Sequence, residues 1–130
     1  MVDLPKTYRA ATVVEVGKPL EIRDVELKQP TEGQVLVKML ASGVCHSDSI
    51  VTNAQMGVQL PRVPGHEIIG KVVAVGPGEK KWKVGQRVGS GWHGGHCGIC
   101  DRCRAGDFVT CKSENINGKL EISALVRLET

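Results

Sequence analysis

Four of the five cysteines lie within fifteen positions of this 130-residue chain, and this cluster constrains the fold more than any other feature. The stretch 94–111 reads GGHCGICDRCRAGDFVTC, with gaps of two, two and seven residues between successive cysteines. Two-residue gaps allow a tight turn to direct successive thiolates at one centre, and zinc is commonly held by four thiolates. The spacing predicts a closed zinc site that stabilises a loop lobe at about residues 92–113. The four predicted ligands are Cys97, Cys100, Cys103 and Cys111.

Other uses of these thiols have to be weighed against zinc. An iron–sulfur cluster is one, because three cysteines at two-residue gaps also occur in ferredoxins. The ferredoxin run closes with a shorter gap and a following proline, whereas Lys112 follows Cys111 here. Disulfides are disfavoured by the odd cysteine count and by the N-terminal residues MVDLPKTYRA, which contain no apolar signal-peptide segment. A cytoplasmic protein is therefore expected, with zinc as the favoured occupant and thiol redox activity as a less favoured alternative.

The composition limits both the core and the class of partner. Aromatic residues make up only 3%, so Val, Ile, Leu and Ala must fill the core, while 16 glycines and 6 prolines indicate many turns. The net charge of +3 is mild and the basic residues are scattered, which argues against nucleic-acid or membrane-surface binding. No apolar run approaches the roughly 18–20 residues of a membrane span.

Alternating apolar residues predict strands at 8–17, 20–28, 34–42, 68–76, 84–91 and 120–129. A slip in the alternation near Asp24 indicates a bulge, and Gly70 indicates a bulge or a close approach of another backbone segment. Residues 46–57 are predicted to form a short helix, with Ser47 as the candidate N-cap and Gly57 as its end. We therefore expect a mainly β domain, a partly open β-barrel with one short helix and a zinc-binding loop lobe.

The fifth cysteine lies apart from the lobe, in GVCHSD (43–48). Like PGHE (64–67), this segment follows a strand or a turn, where side chains from different parts of a chain can converge. Cys45 and His66 are candidate ligands of a second, open zinc site, and Glu67 could act as a neighbouring partner or a substitute ligand. Taken alone, one cysteine and one histidine twenty-one residues apart are weak evidence for a metal site, and a buried thiol with a surface imidazole is the favoured interpretation.

Taken together, GVCHSD, PGHEIIG and HCGICDRC…C resemble the zinc-dependent medium-chain alcohol dehydrogenases in order and approximate spacing. The resemblance covers about residues 1–118 and implies the first part of that family's GroES-like catalytic domain. By that resemblance, Cys45 and His66 are catalytic-zinc ligands, and Glu67 hydrogen-bonds or transiently binds the metal. Ser47 is the hydroxyl that passes the substrate's proton outward, and His46 lies near the cofactor's phosphates.

The resemblance also implies that Trp92 lines the substrate pocket and that the four lobe cysteines bind a structural zinc ion. Simpler interpretations of the minor residues remain open at this point. Ser47 could serve only as a helix cap, His46 could be a solvated side chain, and Trp92 could simply cover the barrel.

Three departures from the family pattern limit what can be carried over. No G-x-G-x-x-G fingerprint occurs, so a cofactor-binding Rossmann domain is not expected within this sequence. The family's third protein ligand to the catalytic zinc has no Cys or His counterpart after Cys111, which leaves only Glu114, Glu121 and Glu129. Residues 119–130 form a divergent tail that is expected to supply a closing strand. A smaller, additional departure is Ile50, which stands where some members of the family carry a histidine that ends the proton relay.

These observations predict a zinc-dependent alcohol dehydrogenase catalytic domain. In the parent family the reaction converts an alcohol to an aldehyde or ketone with NAD(P), and this chain is expected to be weak or inactive alone. The expected partner is a small alcohol or aldehyde, and the expected state is a monomer or weak homodimer. The alternative is a non-catalytic zinc-binding module in which only the structural site holds metal.

Overall fold

The computed structural model describes residues 4–117 and 125–126, and within them the protein is mainly β, as expected. The strands are β1 Thr7–Thr12, β2 Glu21–Glu26, β3 Val35–Ser42, β4 Ile68–Val75, β5 Arg87–Ser90, β6 His93–Gly95, β7 Asn115–Ile116 and β8 Leu125–Val126. The helices are α1 Ser49–Thr52 and α2 Asp101–Arg104, with 3₁₀ turns at His46–Asp48 and Phe108–Thr110. No helix in the described part of the chain is long and apolar enough to cross a membrane.

The described strands form three sheets: a β1–β2 hairpin, a sheet in the order β5-β4-β3-β8, and a β6–β7 pair. In the hairpin, pairing runs without interruption from Thr7 opposite Glu26 to Thr12 opposite Glu21. The bulge predicted near Asp24 is therefore absent, because Asp24 pairs in register with Arg9. The break in apolar alternation instead leaves Ile22 exposed on the hairpin.

The central pair β3–β4 carries the close backbone approach that the sequence indicates at Gly70. Gly70 pairs with Met39, and the register shifts on β3 between Leu36 and Val37 and again between Met39 and Ala41. A side-chain carbon on Gly70 would overlap Val37 Cγ1 and lie 2.7 Å from the Lys38 carbonyl oxygen. Glycine at this position therefore allows the two bulged strands to pair.

Two clusters of aliphatic side chains form the core, as the low aromatic content predicts. The larger cluster joins β3, β4 and β5 and consists of Val35, Val37, Ile68, Val72 and Val88, with Trp82 packed against it. The smaller one contains Val13, Val51 and Val58 and connects the end of the hairpin to α1. Burying side chains of this size contributes about 1.5–3 kcal/mol each.

An apolar-lined cavity of about 810 Å³ opens among β1, β3 and β4. Its walls include Tyr8, Ala10, Leu36, Val63 and Ile68, and its lining reaches Gly65, the residue before His66. The described strands thus enclose apolar space without filling it, in agreement with an open barrel.

The predicted helix at 46–57 is shorter than expected. The chain forms a 3₁₀ turn and then one turn of α-helix, and it leaves the helical conformation at Ala54 and Met56, which have φ of 49° and 52°. Cys45 is the N-cap of the 3₁₀ turn and Asp48 is the N-cap of α1, so the prediction of a Ser47 cap is wrong. Most of the predicted closing strand lies outside the described residues, although β8 pairs antiparallel with Val35 and Leu36 of β3.

Candidate metal centres

The four lobe cysteines converge although they come from different local structures. Cys100 caps α2, Cys103 lies inside that helix, and Cys111 follows the 3₁₀ turn at Phe108–Thr110. All four sulfurs lie within 4.8 Å of one another. Individual Sγ–Sγ distances are 3.5 Å for Cys100–Cys103, 3.7 Å for Cys97–Cys111 and 4.0 Å for Cys97–Cys103.

These distances fit a tetrahedral metal ion. A zinc ion with four Zn–S bonds of about 2.3 Å requires sulfur–sulfur separations of about 3.8 Å, the middle of the observed range. Backbone N–H groups also point at the sulfurs: Cys100 N–H donates to Cys97 Sγ at 3.4 Å, and Cys97 N–H donates to Cys111 Sγ at 3.3 Å. Such donors stabilise thiolates, the form in which cysteine binds metal.

Backbone hydrogen bonds and burial give the lobe thiols different pKa values. The Cys103 N–H lowers the pKa of Cys100 to about 6, and the Ile99 N–H lowers the pKa of Cys97. Burial raises the pKa of Cys103 to about 12. Cys100 is thus the more acidic thiol of the lobe, while the buried Cys103 needs a cation beside it in order to deprotonate.

The turns and charges around the lobe suit this arrangement. Gly98 and Gly106 have φ of 70° and 80°, a region that favours glycine, and each lies in a bend that brings cysteines together. Lys112 Nζ lies 2.7 Å from Asp101 Oδ1, which links the end of the lobe to the start of α2. The lobe's two helical segments and the β6–β7 pair were not predicted, because their apolar periodicity is too short to detect.

A second group of ligand atoms forms where the β3–α1 connection meets the loop before β4. Cys45, His66 and Glu67 each offer one atom, all within 4.8 Å of one another. His66 is buried, with 6% of its surface exposed, Cys45 is half-buried, and Glu67 is exposed. One thiolate, one imidazole and one carboxylate that reaches solvent make a three-ligand group of the kind found at open zinc sites.

Asp48 is a site residue that the sequence analysis missed. Its Oδ1 lies 3.0 Å from His66 Nδ1, and its Oδ2 accepts a hydrogen bond from the Cys45 N–H at 3.0 Å. A carboxylate on one ring nitrogen orients a metal-binding histidine and leaves the other nitrogen to face the metal. The signal was available, because a residue three positions after an N-cap commonly bonds back to the cap's N–H.

The other predicted site residues occupy different positions relative to this group. Trp92 packs edge-on against His66, with ring centroids 5.1 Å apart. Ser47 is half-buried and His46 exposed, both in the 3₁₀ turn next to Cys45. Glu114, one candidate for a third protein ligand, instead lies 3.3 Å from His93 Nδ1, whereas Glu121 and Glu129 lie outside the described residues.

Comparison with known proteins identifies the family of this chain. Residues 31–126 match the family model of the alcohol dehydrogenase GroES-like domain, and the chain belongs to that family. It is 49% identical over 115 residues to alcohol dehydrogenase patD of Aspergillus clavatus, a match that covers 88% of this chain and 30% of that protein. An alcohol dehydrogenase of Geobacillus stearothermophilus is 40% identical over 112 residues, covering 85% of this chain and 33% of its own.

Solved structures give the same assignment. A thermostable alcohol dehydrogenase from Pyrobaculum aerophilum with bound cobalt and zinc superposes with a TM-score of 0.80 at 27% identity, covering 92% of this chain and 39% of its own. A Helicobacter pylori CAD complexed with NADP(H) superposes at 0.74 and 27% identity, covering 83% of this chain and 31% of its own. The chain spans about a third of the length of the curated relatives it matches.

Proposed function

We propose that this chain is a zinc-dependent alcohol dehydrogenase catalytic domain, in which Cys45, His66 and Glu67 hold the catalytic zinc. The observation that carries the proposal is the convergence of these three ligand atoms within 4.8 Å, from two segments distant in sequence. The four lobe cysteines hold a second, structural zinc ion. Family membership supports both assignments, because relatives over this region are named alcohol dehydrogenases.

In the proposed site, a zinc ion would lie beside groups that define its surroundings. A bound zinc ion would act as a Lewis acid that lowers the pKa of an alcohol and prepares it for hydride loss. Asp48 Oδ1 lies 3.0 Å from His66 Nδ1 and Asp48 Oδ2 accepts the Cys45 N–H, so one carboxylate lies beside both proposed ligands and is proposed to favour their orientation. Trp92 packs on His66 and limits the space open to a substrate.

Proton and cofactor roles follow from the positions of the 3₁₀-turn residues. The half-buried Ser47 hydroxyl is proposed to accept the alcohol proton and pass it toward solvent, because Ile50 offers no titratable group to extend a relay. The exposed His46 is proposed to contact the phosphates of NAD(P). Hydride would pass to the nicotinamide, with a small alcohol or aldehyde as substrate.

Activity of these 130 residues alone is proposed to be weak or absent. The metal group contains three ligands of which one, Glu67, is exposed, and no Gly-rich nucleotide fingerprint occurs in the sequence. We further propose a cytoplasmic monomer or weak homodimer. The second candidate function is a zinc-binding module in which the lobe alone holds metal, and the exposed position of Glu67 is the observation that favours it.

Zinc analysis of the purified chain separates the two functions. The dehydrogenase proposal predicts that Cys45→Ala and Cys103→Ala each remove one zinc ion, from different sites. Circular dichroism of both variants checks that the fold persists. If Cys45→Ala retains all the zinc of the unmodified chain, the module is correct. Nicotinamide turnover on simple alcohols then tests activity, and robust turnover by the chain alone would contradict the proposed weakness.

A further inference from the structure

Two histidines that could bind a metal ion lie outside the two groups of candidate ligands described above. His93 and His96 come from the segment HGGH (93–96) at β6, just before the first lobe cysteine. Their ring centroids are 5.5 Å apart with an interplanar angle of 22°, and His93 Nε2 lies 3.3 Å from His96 Nδ1. Both histidines lie in the lobe segment, but neither is a member of the four-cysteine group or of the Cys45 group.

A β-bulge brings the two rings together. In a regular strand, side chains three residues apart point to opposite faces of the sheet. The β6–β7 register shifts between His93 and Gly95, so the strand turns locally and both imidazoles reach the same side. Gly94 is required at this bend, because a Cβ there would lie 2.6 Å from Asn117 Oδ1.

The nitrogen–nitrogen distance suits a shared metal ion. At 3.3 Å the two nitrogens are within reach of a hydrogen bond, which can hold the rings together when no metal is bound. Two imidazoles bound to one tetrahedral zinc ion at about 2.0–2.1 Å place their ligating nitrogens about 3.3 Å apart. The pair therefore has the spacing of two ligands of one ion.

The surroundings of the pair favour the same interpretation. Glu114 Oε1 lies 3.3 Å from His93 Nδ1, and a hydrogen bond between them would leave Nε2, the nitrogen that faces His96, to bind a metal ion. The Phe108 ring stacks on His96 with centroids 4.3 Å apart and fixes its orientation. His93 keeps 24% of its side chain exposed, so water can complete the coordination.

We propose that His93 and His96 form a third divalent-metal site, which binds zinc through His93 Nε2 and His96 Nδ1 with Glu114 as the partner of His93. The site is independent of the proposed dehydrogenase function, since it shares no ligand with the Cys45 group. With two protein ligands it is the weakest of the three sites and fills last.

Zinc titration of the ¹⁵N-histidine-labelled full chain, read by NMR of the ring nitrogens, tests the site directly. After the two cysteine-containing groups are saturated, further zinc should shift the resonances of His93 Nε2 and His96 Nδ1 together and add one zinc ion per chain. If neither nitrogen shifts in the unmodified chain, the proposal is wrong, whatever the variants do.

Variants then assign the ligands. His93→Gln and His96→Gln should each lose the additional zinc ion, whereas His46→Gln, which removes a histidine elsewhere, should keep it. Glu114→Gln should bind it about 10–100-fold more weakly. Retention of the additional ion in both His93→Gln and His96→Gln would overturn the proposal, and full zinc at the four-cysteine site shows that each variant is folded.

Discussion

Gly43 lies so close to Glu67 that a side-chain carbon on the glycine would overlap the glutamate carboxylate. The backbones are also joined, because the Gly43 N–H donates to the Glu67 carbonyl oxygen at 2.9 Å. The two residues belong to the segments that carry Cys45 and His66, so the missing side chain at Gly43 sets where the carboxylate can lie. The position of the carboxylate in the group formed by Cys45, His66 and Glu67 therefore depends on the absence of a side chain at Gly43.

Gly43→Ala is therefore expected to displace the Glu67 carboxylate and weaken zinc binding at the Cys45 group by about tenfold or more, in the range seen for groups that support metal ligands. Competition with a zinc chelator measures the affinity. Gly91→Ala is the matched control, since a Cβ there meets nothing within 4 Å and its zinc affinity should not change. Equal affinities in the two variants would contradict the role given to Gly43.

Asp48→Asn should reduce zinc affinity at the Cys45 group by about 10–100-fold, because the amide is a poorer partner for His66 Nδ1 than a carboxylate. The fold should persist, since Asn retains an oxygen that can accept the Cys45 N–H. Asp24→Asn, on the exposed face of the hairpin, serves as the control. Zinc binding unchanged by Asp48→Asn would show that the ring is oriented by other contacts.

Gly70→Ala should destabilise the domain by about 1–3 kcal/mol, because the added carbon meets Val37 Cγ1 and the Lys38 carbonyl in a packed sheet. Gly89→Ala lies in the same sheet, where its nearest contact, Ile69 Cδ1 at 3.2 Å, is the end of a flexible side chain. Urea unfolding should therefore show a larger loss for Gly70→Ala than for Gly89→Ala. The reverse order would contradict the close approach of β3 and β4.

Glu79 provides a pH-dependent contribution to stability. Hydrogen bonds from the Trp82 and Lys81 N–H groups lower its pKa below the ordinary 4.5. A lowered pKa in the folded state stabilises the fold above pH 4.5, and this stabilisation is lost as the pH falls through the folded value. Glu79→Gln should flatten the fall of the urea midpoint in that window, whereas Glu26→Gln, on the exposed face of β2, serves as the control. An unchanged slope in Glu79→Gln would count against these hydrogen bonds.

The two groups of candidate metal ligands could be predicted from the sequence because metal-binding chemistry is concentrated in a few residue types, which in the lobe recur at fixed gaps. Cys97, Cys100 and Cys103 could be assigned to one centre from spacing alone, before any fold was known. Asp48 was missed since aspartate is common in turns, and only the fold shows that it reaches His66. Candidate metal ligands can be found from the local sequence, whereas a residue that contacts a ligand, such as Asp48, is found only from the tertiary structure.

The strands were likewise found more easily than their ends and irregularities. Alternation located β3 and β4, but the same pattern wrongly indicated a bulge at Asp24, where an exposed Ile22 breaks the alternation without breaking the pairing. The helix at 46–57 was overestimated, because the left-handed conformations at Ala54 and Met56 are not typical of those residue types. Apolar periodicity indicates which side chains are buried, but it does not predict strand pairing at Asp24 or the backbone conformation of Ala54 and Met56.

Among the described residues, one isolated β-bridge joins the loop that carries His66 to Val13, the residue after β1. Val13 and Arg62 exchange two backbone hydrogen bonds, of 2.7 and 2.9 Å. Val13 is 2% exposed and belongs to the cluster that also holds α1, the helix following Cys45. The amides of Val13 and Arg62 should therefore exchange with solvent together, and one opening event would release both segments that carry the proposed zinc ligands. The lifetime of a bound metal ion would then be limited by the protection of these two amides.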